Sequence, residues 1–518
     1  MKNIKYIALS LLTIGMLSCE NDTLDDLRNS GNDNVVLPEL TSGNVDFSNY
    51  VAVGASFTAG YTDNGVFIAA QENSFPNTIA KAFSKIGGGV FTQPLMNDNF
   101  GGLILGGNPV IDPSTGNRLF AERLIFGGAG PVPLLSVNPS AMSTTDFALN
   151  NPTGPFNNLG VPGAKSYHMI APGYGSLNNF PAAANPYAIR LTGATQDASM
   201  LELAIAQNPT FFTLSEVGGN DVLGYATSGG DGSNPITDTA TFDFALNTLV
   251  TGLTSNGAKG AITTVPSITS LSFFTTVPHN PIPLDAATAD FLNSASVYGA
   301  YNAGIQGAFA YLVSVSAISQ DDANAEIAKR TITFAAGDGN AVVIFDENLT
   351  DLTAINPGLV SMRQATADDL LVLTSSGFIG TEAIPGNPQT VNGVAIPLAD
   401  KWVLTPEEQS DIAVATQAYN ASISAAASAN GLALVDLSSI LEQASTTGIM
   451  FDEYLMNTDL VFGGMVSLDG VHLTARGYAL MANSFLTAID ATYGSNFSAS
   501  GNLAKAGDFP TNFSPLLQ

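Results

Sequence analysis

Cysteine is nearly missing from this chain of 518 residues: Cys19 is the only one, so no intramolecular disulfide can staple the fold. Without a Cys/His cluster, no structural zinc of the usual kind can form either. Histidine is scarce too, with only His168, His279 and His472 available for acid–base chemistry. Charged residues make up 12% of the chain, about half the usual share, so solubility must also rest on Asn, Ser, Thr and Gly. Positive charge is also in short supply: 16 Lys and Arg stand against 44 Asp and Glu, a formal net charge of −28. Such a field repels phosphate backbones and excludes nucleic acid as a partner. It also disfavours electrostatic docking onto anionic lipid. The acidic surface reads as a solubility device rather than a cation store. Beyond the N-terminus no apolar run approaches the ~18 residues that span a bilayer. What is plentiful is apolar residue, 45% of the chain, which excludes a disordered polymer. The length calls for two domains, or one domain with large insertions.

The first residues have the pattern of an export signal. Lys2 and Lys5 form a short basic region, and Tyr6 to Leu17 an apolar stretch too short to span a membrane comfortably. It closes on Met16-Leu17-Ser18-Cys19, which resembles the lipobox of bacterial lipoproteins, with Met16 where Leu is usual. The resemblance implies that residues 1–18 are removed, that Cys19 is acylated, and that the protein is an exported lipoprotein of the cell envelope, at the outer membrane or cell surface. Several acyl chains anchor stably where one does not. Residues 19–45 are polar and read as a flexible tether.

A folded body is expected over 46–498, with 499–518 as a C-terminal tail. It opens with Tyr50-Val51-Ala52-Val53, a short apolar run stopped by Gly54, as in a buried parallel strand. Helices are expected over 75–86, 197–207 and 241–255, and strands over 210–214 and 260–265. A helix from Pro406 to Asn430 is stopped by Gly431 and followed by a strand over 432–435. A last helix runs from Thr474 to Ile489. Strands alternating with helices argue for an α/β fold with a parallel sheet. Two stretches interrupt it. Residues 87–155 are dense in Gly and Pro without periodicity and read as a lid-like insertion or an irregular surface excursion. Residues 268–400 form a second insertion, with a helix expected over 289–313 and a hairpin turning at Gly337-Asp338-Gly339. Within it, Tyr301-Asn302-Ala303-Gly304-Ile305 echoes Tyr419-Asn420-Ala421-Ser422-Ile423, a hint of partial duplication.

Four short blocks carry candidate chemistry. Ser56, in Gly54-Ala55-Ser56-Phe57, follows the first strand, where α/β folds bring their ligands. His472 stands in Asp469-Gly470-Val471-His472; a carboxylate three residues earlier can accept from Nδ1 and leave Nε2 as a base. His168 and His279 have no carboxylate neighbours in sequence and read as structural. Gly218-Gly219-Asn220-Asp221 sets an amide beside glycines that allow close approach, so Asn220 can donate to a developing oxyanion. Asn158-Leu159-Gly160-Val161-Pro162-Gly163-Ala164 is a further glycine loop able to present a backbone N–H.

In order and context these blocks resemble the SGNH (GDSL-like) hydrolases, named for a Ser, Gly, Asn and His in four separated blocks. The resemblance implies a three-layer α/β/α sandwich with a parallel sheet, carrying the two insertions at 87–155 and 268–400. It implies a carboxylic ester hydrolase working through an acyl-enzyme on Ser56, with Asp469 and His472 completing a triad. Ser56, Gly163 and Asn220 would form the oxyanion hole, with Gly160 as the fallback glycine, and no metal or cofactor is required. Ala55 departs from the family's usual Asp and puts the local hydrogen bonding of the nucleophile turn in question. No Gly-x-Ser-x-Gly elbow surrounds Ser56, which separates the chain from the standard α/β-hydrolases. The substrate would be a lipid or an acylated small molecule or glycan. A carbohydrate acetyl-esterase of the same fold is the alternative, and a non-catalytic surface lipoprotein that binds glycan or lipid is the other.

Overall fold

Tyr50–Gly54 (β1) is apolar at every position but its last, and every one of its residues is buried, as a strand covered on both faces must be. The computed structural model of the protein describes residues 36–193 and 195–518. The expected signal segment 1–18, Cys19 and the tether as far as residue 35 lie outside the described residues. Four more strands flank β1: Asn158–Gly160 (β2), Phe211–Leu214 (β3), Lys259–Thr263 (β4) and Ala433–Val435 (β5). The sheet order is β5-β4-β3-β1-β2, and every neighbouring pair is parallel. The protein is therefore a mixed α/β protein with a central five-stranded parallel sheet flanked by helices. In this order the connections run one way from β1 to β2 and the other way to β3. The crevice outside the carboxyl ends of β1 and β3 is the switch point where such sheets receive ligands.

The helices that matter below are Ser56–Ala59 (α1), Phe75–Phe83 (α2), Gly219–Thr227 (α3), Thr239–Thr254 (α4), Pro406–Asn430 (α5), Leu437–Thr446 (α6) and Ala475–Tyr493 (α7). α2 packs on α7, where Phe75 and Phe485 stack with ring centroids 5.0 Å apart. α4 packs on α5 through Phe242 and Tyr419, 4.1 Å apart. Each such pair contributes about 0.5–1.5 kcal/mol beyond its buried area. Local chemistry sets the ends. Thr405 and Glu408 form a capping box around Pro406, and Gly431 ends α5 in the left-handed region at φ 62°. Thr474 caps α7 by accepting from the Gly477 N–H.

Elsewhere the structure departs from the sequence pattern. The helix expected over 197–207 is confined to Met200–Ile205. The helix expected over 289–313 is two, Ala286–Asn293 and Tyr298–Ser314, because the chain turns at Ser294–Val297. No hairpin turns at Gly337-Asp338-Gly339. Instead Gly337–Asn340 pairs antiparallel with Ile282–Leu284, and Val343–Phe345 with Met362–Gln364. A turn-forming dipeptide has been drawn into a ladder by a distant partner. The echoed pentapeptides do the same job twice: Asn302 holds both the N–H and the C=O of Ile332, and Asn420 holds both those of Val265.

Residues 282–403 gather their own hydrophobic cluster, distinct from the cluster around the sheet. The 87–155 stretch holds two small hairpins, Ile104–Leu105 with Asn108–Pro109 and Leu124–Phe126 with Pro131–Pro133. Arg123, fully buried, donates to Asn99 O and, from the other end of the chain, to Ser514 O. The tail is thereby tied down rather than free. The end of the expected tether is tied down as well, since Thr41 N–H donates to Asn496 and Asn44 N–H to Tyr493 O.

Candidate active site

At Gly54 the chain leaves β1 through a passage with no room for a side chain. A Cβ there would lie 2.2 Å from Thr58 Oγ1 and 2.7 Å from Ser215 O. Ser56 then opens the single turn α1 and is 5% exposed. The neighbouring strand β3 delivers a residue that the motif blocks did not include. Glu216, at φ 60°, aims its carboxylate under this turn. A non-glycine residue in the left-handed region costs about 1–3 kcal/mol, which the carboxylate's contacts offset. Its oxygens accept from Ala55 N–H at 3.2 Å, Phe57 N–H at 2.8 Å and Thr58 N–H at 2.9 Å. The Ser56 hydroxyl also donates to Glu216, at 3.3 Å. Among the described residues the Ser56 N–H has no protein acceptor, so the one donor left unclaimed in the turn is that of the candidate nucleophile. Burial pushes the Glu216 carboxyl above its ordinary value; the N–H groups of Phe57, Thr58 and Ala55, with the His472 ring, only partly offset this. Glu216 was legible only indirectly, as a lone carboxylate directly after an apolar strand and next to Gly218-Gly219-Asn220-Asp221.

His472 and Asp469 meet as their spacing requires: His472 Nδ1 lies 2.9 Å from Asp469 Oδ2. The N–H groups of Val471 and His472 bind Asp469 Oδ1, and the Asn64 N–H binds Oδ2. Burial pushes the Asp469 carboxyl up, but the His472 ring and these N–H groups outweigh it and hold the group well below the ordinary carboxylate range. The imidazole is wedged between Tyr61, 4.4 Å away between centroids, and the edge of Phe57 at 5.9 Å. Phe57 follows Ser56, so nucleophile turn and histidine share one rim. No hydrogen bond joins Ser56 to His472 among the described residues, because the hydroxyl is turned to Glu216. Catalytic contacts commonly tighten only when substrate is present.

Asn220 sits in the first turn of α3, and its Nδ2 donates to Ala164 O at 3.0 Å. That bond ties the third block to the second and leaves one amide hydrogen to give. Gly163 is exposed at φ 79°, and its N–H has no protein acceptor among the described residues. Gly160, by contrast, pairs with Gly54 inside the sheet, and a Cβ there would lie 2.2 Å from Ala59 N. Asp221 is structural, accepting from the N–H and hydroxyl of Ser166. His168 stacks on Tyr174, accepts from the Lys165 N–H, and lies outside the cavity lining.

A cavity of about 70 Å³ opens beside Ser56, and its only polar side chains are those of Ser56, Glu216 and Asn220. Leu223, Ile268, Leu271, Leu441, Leu480 and Met481 form much of its wall. Ile268 and Leu271 fall at the start of the expected 268–400 insertion but pack in the cluster around the sheet, and no residue of 87–155 lines the cavity. That stretch acts at one remove: Leu124 N–H donates to Asp63 O in the turn that carries Asn64 to Asp469. Compared with family models, curated proteins and solved structures, the chain matches none.

Proposed function

We propose that the protein is a serine ester hydrolase of the SGNH type, cleaving carboxylic esters through an acyl-enzyme on Ser56. The observation that carries this reading is that a serine with a free N–H and an amide donor line one apolar cavity, with a carboxylate-held histidine packed against Phe57, the residue after that serine. The three-layer sandwich and the two insertions belong to the same proposal. So do the lipid anchor at Cys19 and residence in the cell envelope, which rest on the N-terminal sequence alone.

In the proposed reaction the Ser56 hydroxyl leaves Glu216 and passes its proton to His472 Nε2 as Oγ attacks the ester carbonyl. Asp469 holds Nδ1 and stabilises the imidazolium. The Ser56 and Gly163 N–H groups and the spare hydrogen of the Asn220 amide receive the oxyanion, a contribution of order 10²–10³ in rate per donor. His472 then protonates the departing alcohol, and the same histidine draws a proton from water to release the acid. The apolar wall favours a hydrocarbon acyl chain over an acetyl group and so weighs against the carbohydrate acetyl-esterase alternative.

The test is labelling of the purified protein with a fluorophosphonate, followed by mapping of the modified residue. Labelling at Ser56 that is lost in His472→Ala, with p-nitrophenyl esters longer than acetate hydrolysed faster, is the expected result. A folded protein that takes no label would overturn the catalytic reading in favour of a binding protein.

A further inference from the structure

Far from Ser56 in sequence, three carboxylates converge. Glu347, just past the strand Val343–Phe345, Asp400 and Glu408 each bring an oxygen within 4.8 Å of the others. No basic side chain among the described residues pairs with any of them. Asp346, next to Glu347, is by contrast matched by the buried Arg363. The ammonium of Lys401 lies over the Trp402 ring, 5.1 Å from its centre.

Glu408 supplies a second and independent observation. It is 3% exposed; Oε2 is used by the N–H and hydroxyl of Thr405, but Oε1 is buried with no partner. Asp400 Oδ1 is likewise buried and unpartnered. Oε1 faces Gly230, where a Cβ would come within 2.0 Å of it, so the loop after α3 keeps a glycine at this spot. A buried carboxylate oxygen without a donor is costly unless something positive meets it.

We propose that Glu347, Asp400 and Glu408 form a Ca²⁺ site that pins the 282–403 cluster to the start of α5. Three hard oxygen donors without nitrogen or sulfur select Ca²⁺ or Mg²⁺ over transition metals. Ca²⁺ accepts six to eight oxygens, water among them, in irregular geometry at about 2.3–2.6 Å, whereas Mg²⁺ demands octahedral regularity at about 2.0–2.1 Å, so a cluster of only three carboxylates with an open side suits Ca²⁺ better. Glu347 is exposed and Asp400 half-buried, which leaves a side open for water ligands and for exchange. The position explains what an ion would do. Glu347 belongs to the 282–403 segment and Glu408 to a helix of the sheet's own core. Trp402, between Asp400 and Glu408 in sequence, packs against both hydrophobic clusters.

Trp402 is the only tryptophan, which makes Tb³⁺ luminescence the direct assay. The purified protein is stripped with EGTA, titrated with Tb³⁺ under tryptophan excitation, and then back-titrated with Ca²⁺. Saturable Tb³⁺ emission displaced by Ca²⁺, with a melting temperature that rises with Ca²⁺ and less with Mg²⁺, is expected. Asp400→Asn should weaken binding at least tenfold, and so should Glu347→Gln, an exposed change that leaves folding intact. Absence of sensitised emission and of any Ca²⁺-dependent melting shift in the unaltered protein would overturn the site. Equal emission in Glu347→Gln and Asp400→Asn would overturn the assignment of its ligands.

Discussion

Replacing Glu216 by glutamine turns one oxygen of a buried carboxylate into an amide nitrogen that gives hydrogens and accepts none. The carboxylate serves two sides: Oε1 takes the Phe57 N–H and the Ser56 hydroxyl, and Oε2 takes the Ala55 and Thr58 N–H groups. The better orientation of Glu216→Gln keeps its oxygen toward Ala55 and Thr58 and sets its NH₂ against Phe57. The Ser56 hydroxyl can rotate to accept; the Phe57 N–H cannot. One charge-assisted bond is lost, worth about 1.5–3 kcal/mol, and a donor faces a donor at what was 2.8 Å. Melting should drop by a few degrees, since about 2–4 °C accompany each kcal/mol in chains of 150–250 residues and less in longer ones. The Phe57 N–H directly follows the Ser56 peptide, so relief of that clash displaces Ser56, the proposed nucleophile. A displacement near 1 Å costs on the order of 10²-fold in rate. The loss should fall on kcat and on the rate of fluorophosphonate labelling, with KM little changed because the apolar wall of the cavity is untouched. The assay is thermal melting together with kcat and KM for one p-nitrophenyl ester. Unaltered melting and unaltered kcat would refute the claim that Glu216 holds the turn.

Ser56→Ala should lower kcat by roughly 10⁴–10⁶ with folding unchanged; turnover near that of the unaltered protein would remove Ser56 as nucleophile. Asn220→Ala should cost about 10²–10³ in kcat, and an unchanged value would take Asn220 out of the oxyanion hole. Asp63 gives a pH test of stability. Burial pushes its carboxyl from the ordinary 3.8 to about 7. Between those values the folded state keeps a proton that the unfolded chain has lost, so stability falls as pH rises through that window. Asp63→Asn keeps an acceptor for the Leu468 N–H, bonded at 3.1 Å, and tolerates φ 52°. Its advantage over the unaltered protein should grow from nothing near pH 4 to as much as about 4 kcal/mol above pH 7, at 1.36 kcal/mol per pH unit. A constant difference in chemical denaturation from pH 4 to 8 would show that Asp63 does not titrate this way.

How much of this was legible follows from where each signal lay. α5 was legible almost to the residue because both its ends are marked by local chemistry, Thr405, Pro406 and Gly431; α7 was legible at its start, marked by Thr474, but it runs on to Tyr493, past the expected end at Ile489. The Asp469–His472 pair was legible because three residues of spacing fix its geometry. β2 was not, since Asn158–Gly160 is three residues long and became a strand only through pairing with β1. The turn at Gly337-Asp338-Gly339 failed for the same reason in reverse, as a local preference gave way to a ladder with Ile282–Leu284. The carboxylate cluster joins positions 347, 400 and 408 through a fold that no spacing rule anticipates.

Glu216 shows most clearly what a motif leaves out. Ala55 stands where the resembled family has Asp, and the sequence alone made that a gap in the nucleophile turn. Glu216 Oε2 receives the Ala55 N–H itself and spans the turn as far as Thr58. The acceptor for this turn thus comes from just beyond β3, across the switch point of the sheet. Asp63 and Asn64 make the reciprocal tie: Asp63 accepts from Leu468, and the Asn64 N–H donates to Asp469. One strand's carboxylate fixes the serine, and the serine's own strand continues into the turn that fixes the histidine loop. The placement of Ser56 relative to His472 is therefore held by backbone bonds to buried carboxylates. Loss of either tie should disturb Ser56 and His472 together, and the effects of Glu216→Gln and Asp63→Ala, which removes the acceptor for Leu468, on kcat should be non-additive when combined.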